Sequence, residues 1–238
     1  MRLDKYLVEK EFFSSRARAK EAIEKGDVLV SGAVTTSPDS EVSKEAHIEV
    51  LSRFPWVSRG ALKLIAALDE WHIDPKGMSV LDIGASKGGF TEVLLSRGAR
   101  EVYAVDVGHG QLHPKLSIDS RVENMEGVDI RSLSLDDFQN PFPLIVGDLS
   151  FISLGKVLPQ IQSLLARDGK VILLVKPQFE LGPGATKKGI IRDDSAREEA
   201  LKGVINEAHL HGLSLESRMT SPVVGGSGNI EYLILLRG

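Results

Sequence analysis

No stretch constrains this chain more than Ser79–Phe90, which reads SVLDIGASKGGF. Val80-Leu81-Asp82-Ile83 has the apolar weight of a buried parallel strand, and it breaks at Gly84. Gly88-Gly89 then opens a segment, Phe90 to Arg97, that reads as helix. A strand, a glycine turn and a helix in that order set backbone N–H groups and the positive end of a helix beside a ligand. A second apolar run, Val102-Tyr103-Ala104-Val105, ends in Asp106, near the ~20-residue distance at which an acid meets a ribose. The unit reads as a nucleotide-binding crossover.

The dinucleotide fingerprint GxGxxG needs its second glycine so that a pyrophosphate can approach the backbone. Ser86 stands at that position and Lys87 follows it. S-adenosylmethionine carries ribose and adenine but no phosphate, and has no need of that glycine. The loop therefore favours this methyl donor over a nicotinamide dinucleotide. Taken alone, the motif also fits a glycine turn that only packs a helix on a sheet.

The 238 residues suffice for one large domain with a small module. A 42% apolar and 26% charged composition is that of a globular protein. With no cysteine, disulfides, thiolate metal sites and cysteine nucleophiles are excluded. The six histidines lack metal-ligand spacing, and no metal is expected. The start, MRLDKYLVEKEFF, lacks the apolar centre of a signal peptide, and no run approaches the ~18 apolar residues of a membrane span. A cytoplasmic protein without membrane contact is the expectation, and no obligate protein partner is evident. A net charge of −4 means that nucleic-acid contact must come from a local patch.

Residues 1–52 read as a module. Leu3, Tyr6 and Leu7 recur at helical spacing, and Ser14 or Ser15 can cap a second helix, Arg16 to Lys25, which Gly26 ends. Short strands follow at Val28-Leu29-Val30, with Ser31-Gly32 as the turn, and at Ile48-Glu49-Val50. The phrase SRARAKEAIEKGDVLVSG resembles the RNA-binding module first described in ribosomal protein S4. That resemblance implies RNA contact by Arg2, Arg16, Arg18, Lys20 and Lys25. Eight basic against ten acidic residues in this stretch fit a plain solvated helix as well.

Residues 53–57 form a linker, broken by Pro55, where Trp56 either packs over the junction or stacks on a base. From residue 58 to 238 apolar strands alternate with helices, which argues for a doubly wound, mainly parallel α/β sheet. Ser58 is placed to cap a helix from Arg59 to about Trp71, on which Lys63 alone would read as a surface lysine. Strands follow at Arg121 to Met125 and Pro143 to Val146, then a helix at Leu154 to Ala166 and a strand at Lys170 to Val175. A helix begins at Asp193 or Ser195, and strands at Leu213 to Ser217 and Ile230 to Leu236 close the set. In such sheets ligands sit at the carboxyl ends of strands. Those ends carry Gly84, Asp106, Asp148 and Lys176, while Glu231 lies in the last strand, past Gly225-Gly226-Ser227-Gly228.

WVSRGALKL, LDIGASKGGFTEVLL, VYAVDVGHGQL, VGDLSFISL, LVKPQFE, GIIRDD and GNIEYL occur in that order. Together they resemble the haemolysin-A (TlyA) family of ribosomal RNA 2′-O-methyltransferases. The resemblance spans nearly the whole chain. It implies a seven-stranded Rossmann-like, FtsJ-like methyltransferase sheet behind a small α+β S4-like RNA-binding domain, with ribosomal RNA or ribosomal subunits as partners. The wider group's Lys-Asp-Lys-Glu tetrad falls on Lys63, Asp148, Lys176 and Glu231.

A ribose 2′-hydroxyl is a poor nucleophile until a positioned base takes its proton. Lys176 would be that base, Lys63 would favour its neutral form by like-charge repulsion, and Asp148 and Glu231 would orient the lysines. A buried ion-pair network is the alternative reading of the four. For the cofactor, the resemblance implies Gly84, Ala85, Ser86, Gly88, Gly89 and Phe90 at the methionine end, Asp106 at the ribose and Asp129 at the adenine. Two positions depart from the family pattern. Lys87 replaces a threonine and is expected to point to solvent, and Asp129 replaces an asparagine. The loop from Gln178 to Arg192, with Lys187, Lys188 and Arg192, suits either a basic lid over RNA phosphates or a plain surface loop. Two further readings are a membrane-acting haemolysin and an RNA-binding protein without catalysis.

Overall fold

The computed structural model describes residues 1–13, 15–43, 45–51, 55–181, 189–225 and 228–238. The chain divides into two compact units, one of Met1–Pro55 with Val223–Gly228 and one of Trp56–Pro222 with Asn229–Gly238.

In the first unit α1 (Leu3–Glu9) and α2 (Arg16–Glu24) precede β1 (Val28–Val30), β2 (Ala33–Val34) and β3 (Ile48–Val50). Ser15 caps α2 by accepting from the Arg18 backbone N–H; Ser14, the other candidate cap, lies outside the described residues. Ser31 and Gly32 both take positive φ, as a tight hairpin requires, and β1 lies between β2 and β3 in an antiparallel sheet. Leu3, Leu7, Ala19, Ile23 and Val28 form its core.

The second unit runs α3 (Gly60–Glu70), β4 (Ser79–Ile83), α4 (Gly89–Ser96), β5 (Glu101–Asp106), α5 (Pro114–Ser117), β6 (Val122–Glu126) and β7 (Phe142–Gly147). It continues with α6 (Leu158–Leu164), β8 (Leu165–Val175), α7 (Pro177–Glu180), α8 (Asp194–Leu210), β9 (Ser214–Thr220) and β10 (Tyr232–Arg237). The seven strands lie in the order β6-β5-β4-β7-β8-β10-β9. Neighbours from β6 through β8 are parallel, while β10 is antiparallel to both β8 and β9.

Both faces of the centre of the sheet are covered, which is why β4 and the Val171–Val175 part of β8 lack polar alternation. Val80, Leu144 and Val146 face the cluster built with Leu64 and Leu68 of α3 and Val93 and Leu94 of α4. Leu81, Ile83 and Ile145 face the cluster built with Leu158 and Ile161 of α6 and Leu201 and Val204 of α8. Trp56 packs, partly buried, against the first of these.

Three local expectations need correction. Arg59, not Ser58, is the N-cap of α3; the Ser58 hydroxyl instead lies over Gly89, where a Cβ would meet it at 2.1 Å. The helix expected over Leu154–Ala166 is a 3₁₀ turn, Leu154–Lys156, followed by α6 from Leu158. Pro159 lacks the N–H that a continuous helix would need there, and it fits only in the first turn of a new one. The last strand begins at Tyr232, so Glu231 immediately precedes it.

Candidate active site

The geometry begins at Gly84. Its φ is +78°, and a Cβ there would stand 2.9 Å from the Asp148 carbonyl oxygen, so β4 can turn beside β7 only with glycine. The N–H groups of Gly84 and Ala85 donate to Val105 O, which holds the turn against the end of β5. Gly88, also in the left-handed region, starts α4. Asp106 accepts from Ser86 N at 2.9 Å and from Gly108 N at 2.8 Å. Its carboxylate thus orders both loops at the strand ends.

A cavity of about 300 Å³ opens there, walled by Ile83, Val105, Val107, Val128 and Ile130, with Asp106, Ser86 and Gln111 among its polar groups. A second cavity of about 170 Å³ is lined by Ser58, Gly60, Ala85, Gly89, Phe90 and Lys176. Gly84, Ser86, Asp148 and Ser150 line both. An apolar slot with the Asp106 and Asp148 carboxylates in its lining, leading to a polar chamber, suits a nucleoside with a charged extension, so the residues present fit S-adenosylmethionine. Asp129 does not line either cavity. Arg131 Nη2 lies 2.5 Å from its carboxylate, which also caps the 3₁₀ turn Ile130–Ser132. The guanidinium holds Asp129 below the usual carboxylate range. Lys87 is exposed.

Beyond Gly84 lie four charged side chains. Lys63, from α3, is buried with 7% of its surface exposed, and its Nζ donates to Glu231 Oε2 at 2.7 Å and sits 3.6 Å from Asp148 Oδ2. Lys176 Nζ lies 2.5 Å from Asp148 Oδ1 and donates to Ser150 Oγ at 2.7 Å. The order Glu231–Lys63–Asp148–Lys176–Ser150 is therefore a continuous chain of polar contacts. Burial works to raise the Asp148 carboxyl, but the charges of Lys63 and Lys176 outweigh it and hold the group below its ordinary value.

Strand register produces this cluster. Asp148 and Lys176 follow the neighbouring parallel strands β7 and β8. Because β10 is antiparallel to β8, its first residue, Tyr232, pairs with Val175. Glu231 thereby arrives beside Lys176 from the opposite chain direction. The solvent-facing reading of Lys63 is overturned, since a buried ammonium persists only with partners.

The sequence reading missed Ser150, Gln111 and Phe151. Gln111 accepts from Ser86 Oγ at 3.2 Å, and its loop is fixed by Glu126, whose carboxylate accepts from the backbone N–H groups of Gly110, Gln111 and Leu112. Phe151 is 90% exposed at φ +64°, with its ring 5.0 Å from that of Phe179. An aromatic residue three positions after Asp148, in the loop beyond a predicted strand, was the available signal for it. Of the expected lid, Gly182–Lys188 lies outside the described residues, as do Gly226 and Ser227 of the glycine-rich turn.

The five basic residues expected to contact RNA, Arg2, Arg16, Arg18, Lys20 and Lys25, are all exposed. Arg2 and Arg16 converge on the buried Asp4, the latter at 2.6 Å, and Arg2 also meets Asp39. Lys25 pairs with Glu21 at 2.7 Å and Lys20 with Glu24 at 3.7 Å. Arg18 stands on the same helix as Arg16 and Lys20.

Known proteins extend these observations. The profile of the FtsJ-like methyltransferases matches residues 56–238, and that of the S4 domain residues 1–48. Hemolysin A of Brachyspira hyodysenteriae is 41% identical over 235 residues, 98% of each chain. The 16S/23S rRNA (cytidine-2′-O)-methyltransferase TlyA of Mycobacterium tuberculosis is 41% identical over 239 residues, covering 99% of this chain and 89% of that one. A solved structure from Streptococcus thermophilus, described as a candidate hemolysin, superposes with a TM-score of 0.79 at 38% identity, covering 100% of this chain and 88% of the other. This chain belongs to the FtsJ-like methyltransferase family, among the TlyA and hemolysin A proteins, with an S4 domain at its amino terminus.

Proposed function

We propose that this protein transfers a methyl group from S-adenosylmethionine to a ribose 2′-hydroxyl of ribosomal RNA, with Lys176 as the base. The observation that carries the reading is the Glu231–Lys63–Asp148–Lys176 chain at the carboxyl edge of the sheet, directly beside a nucleoside-sized cavity. The name of the M. tuberculosis relative, a 16S/23S rRNA (cytidine-2′-O)-methyltransferase, supports the substrate class.

Gly84, Ala85, Ser86, Gly88, Gly89 and Phe90 would hold the methionine end of the cofactor and Asp106 its ribose hydroxyls. With Asp129 engaged by Arg131, the adenine would rest on Val107, Val128 and Ile130. Bound there, S-adenosylmethionine would supply an activated methyl group for the ribose oxygen, the electron pair of its former bond being left on sulfur. Lys176, entering as the free amine, accepts the hydroxyl proton. Asp148 spans the two lysines, so its pull on Lys176 is shared with Lys63, and Glu231 neutralises the Lys63 ammonium. Positioning and proton removal are the protein's contribution.

Phe151 offers an unstacked base a ring face. Arg2, Arg16, Arg18, Lys20 and Lys25 would meet RNA phosphates. Labelled S-adenosylmethionine with ribosomal RNA or subunits tests the reading. Label is expected in alkali-resistant dinucleotides, reduced at least about 100-fold in Lys176→Ala. Bound cofactor with no transfer to any ribosomal substrate would instead favour the non-catalytic RNA-binding reading.

A further inference from the structure

The proton step assigned to Lys176 needs more than an amine in the right place. A free amine nitrogen is tetrahedral, with one position taken by Cε, two by N–H bonds and one by the lone pair. Only the lone pair can accept a proton, and rotation about the Cε–Nζ bond would otherwise aim it anywhere on a cone. Two fixed groups end that freedom. Ser150 Oγ, 2.7 Å away, takes one N–H. The Asp148 carboxylate, whose Oδ1 forms an ion pair 2.5 Å away, attracts the N–H side of the nitrogen and repels the lone pair. The lone pair is left facing away from both.

Ser150 is set to act this way by its position. It comes two residues after Asp148, just past β7, so one short segment supplies both the hydrogen-bond acceptor and the ion-pair partner. It lines both the nucleoside-sized cavity and the inner chamber that holds Lys176. Lys176 is itself buried, with 8% of its surface exposed, and so cannot turn its N–H groups to bulk water instead. Among the described residues Lys63, by contrast, contacts Glu231 and Asp148 but not Ser150, which separates the two lysines by role.

We propose that Ser150 is a positioning residue that, together with Asp148, fixes the rotation of the Lys176 amine so that its lone pair points into the chamber where the ribose hydroxyl is received. The inference rests on the assignment of Lys176 as base. A serine hydroxyl accepts this bond without adding charge, so it orients the amine without further stabilising the ammonium as a second carboxylate would.

The test compares Ser150→Thr and Ser150→Val, which have nearly the same shape and differ by the hydroxyl, alongside wild type and Lys176→Ala. Each is assayed on the ribosomal substrate that wild type methylates. Affinity for S-adenosylmethionine is measured by calorimetry, and thermal midpoints are recorded. Ser150→Thr is expected to keep turnover within about 3-fold of wild type, and Ser150→Val to lose about 10- to 100-fold in kcat. Cofactor affinity, RNA KM and thermal midpoint should match between the two variants. Equal turnover in Thr and Val variants, with Lys176→Ala inactive, would overturn the inference alone. A Val variant whose loss appears wholly in KM or in cofactor affinity would also overturn it. Lys176→Ala turning over like wild type would overturn the base assignment, and the role of Ser150 with it.

Discussion

At the scale of single residues, the most heavily buried acid in the second unit lies outside the cluster of Lys63, Asp148, Lys176 and Glu231. Asp82, within β4, is fully buried; Thr91 Oγ1 donates to its Oδ2 at 2.6 Å, while Oδ1 has no hydrogen-bond partner among the described residues. Burial pushes this carboxyl up to about 7; the Thr91 hydrogen bond opposes the shift, and the charges of Asp148 and Asp106 add to it. The folded chain therefore keeps a proton between about pH 4 and pH 7 that the unfolded chain releases. This group's contribution to stability falls as pH rises through that window and levels off above it. Asp82→Asn should remove the slope. Denaturant unfolding from pH 4.5 to 8 should show the variant gaining on wild type with rising pH, by up to about 4 kcal/mol. Parallel curves would show that Asp82 ionises normally.

At the scale of elements, the turn between β4 and α4 depends on a conformation that only glycine adopts freely. Gly84→Ala forces a Cβ to within 2.9 Å of the Asp148 backbone carbonyl while holding φ at +78°. The expected cost is about 1–2 kcal/mol from the left-handed backbone alone. Displacement of Asp148 should further weaken S-adenosylmethionine binding and cut methyl transfer at least about 10-fold. Gly203, inside α8 with nothing within 4 Å of an added Cβ, is the contrasting case. Gly203→Ala should raise stability by about 0.5–1 kcal/mol and leave binding unchanged. Thermal midpoints and cofactor calorimetry on the two variants distinguish a positional requirement from a general intolerance of change.

At the scale of the whole molecule, the first unit carries a net charge of −2 over residues 1–52, yet presents clustered guanidinium groups. Asp4 reconciles the two. Hydrogen bonding from Arg2 outweighs the cost of burial and, with Arg16 adding to it, holds the carboxyl at about 2. Its folded value lies below the unfolded one, so its stabilisation is full above about pH 5 and lost as pH falls from 4 toward 2. Asp4→Asn should cost about 2 kcal/mol at pH 7, with the difference vanishing toward pH 2. Charge counting alone predicts that removing an acid tightens RNA binding. If Asp4 aligns Arg2 and Arg16 for phosphates, the variant should bind ribosomal RNA several-fold more weakly at fixed salt.

By itself the sequence determined the elements and their kind. Apolar runs marked the strands that are buried on both faces, glycines marked the turns after β4 and α2, and Asp148 and Lys176 stood out as polar residues ending apolar runs. These are local properties, set within a few residues by side-chain period and backbone freedom. The full four-residue grouping came from family resemblance; Lys63 carried no local mark of its burial, and Ser150 read as an ordinary loop residue. Tertiary structure decided what met what. The antiparallel entry of β10 beside β8 carries Glu231 to the end of the sheet occupied by Lys176, and α3 brings Lys63 within 2.7 Å of Glu231, a residue 168 positions away. Such meetings depend on which strands become neighbours, and that is settled by the joint burial of two faces of a seven-stranded sheet rather than by any short stretch of chain.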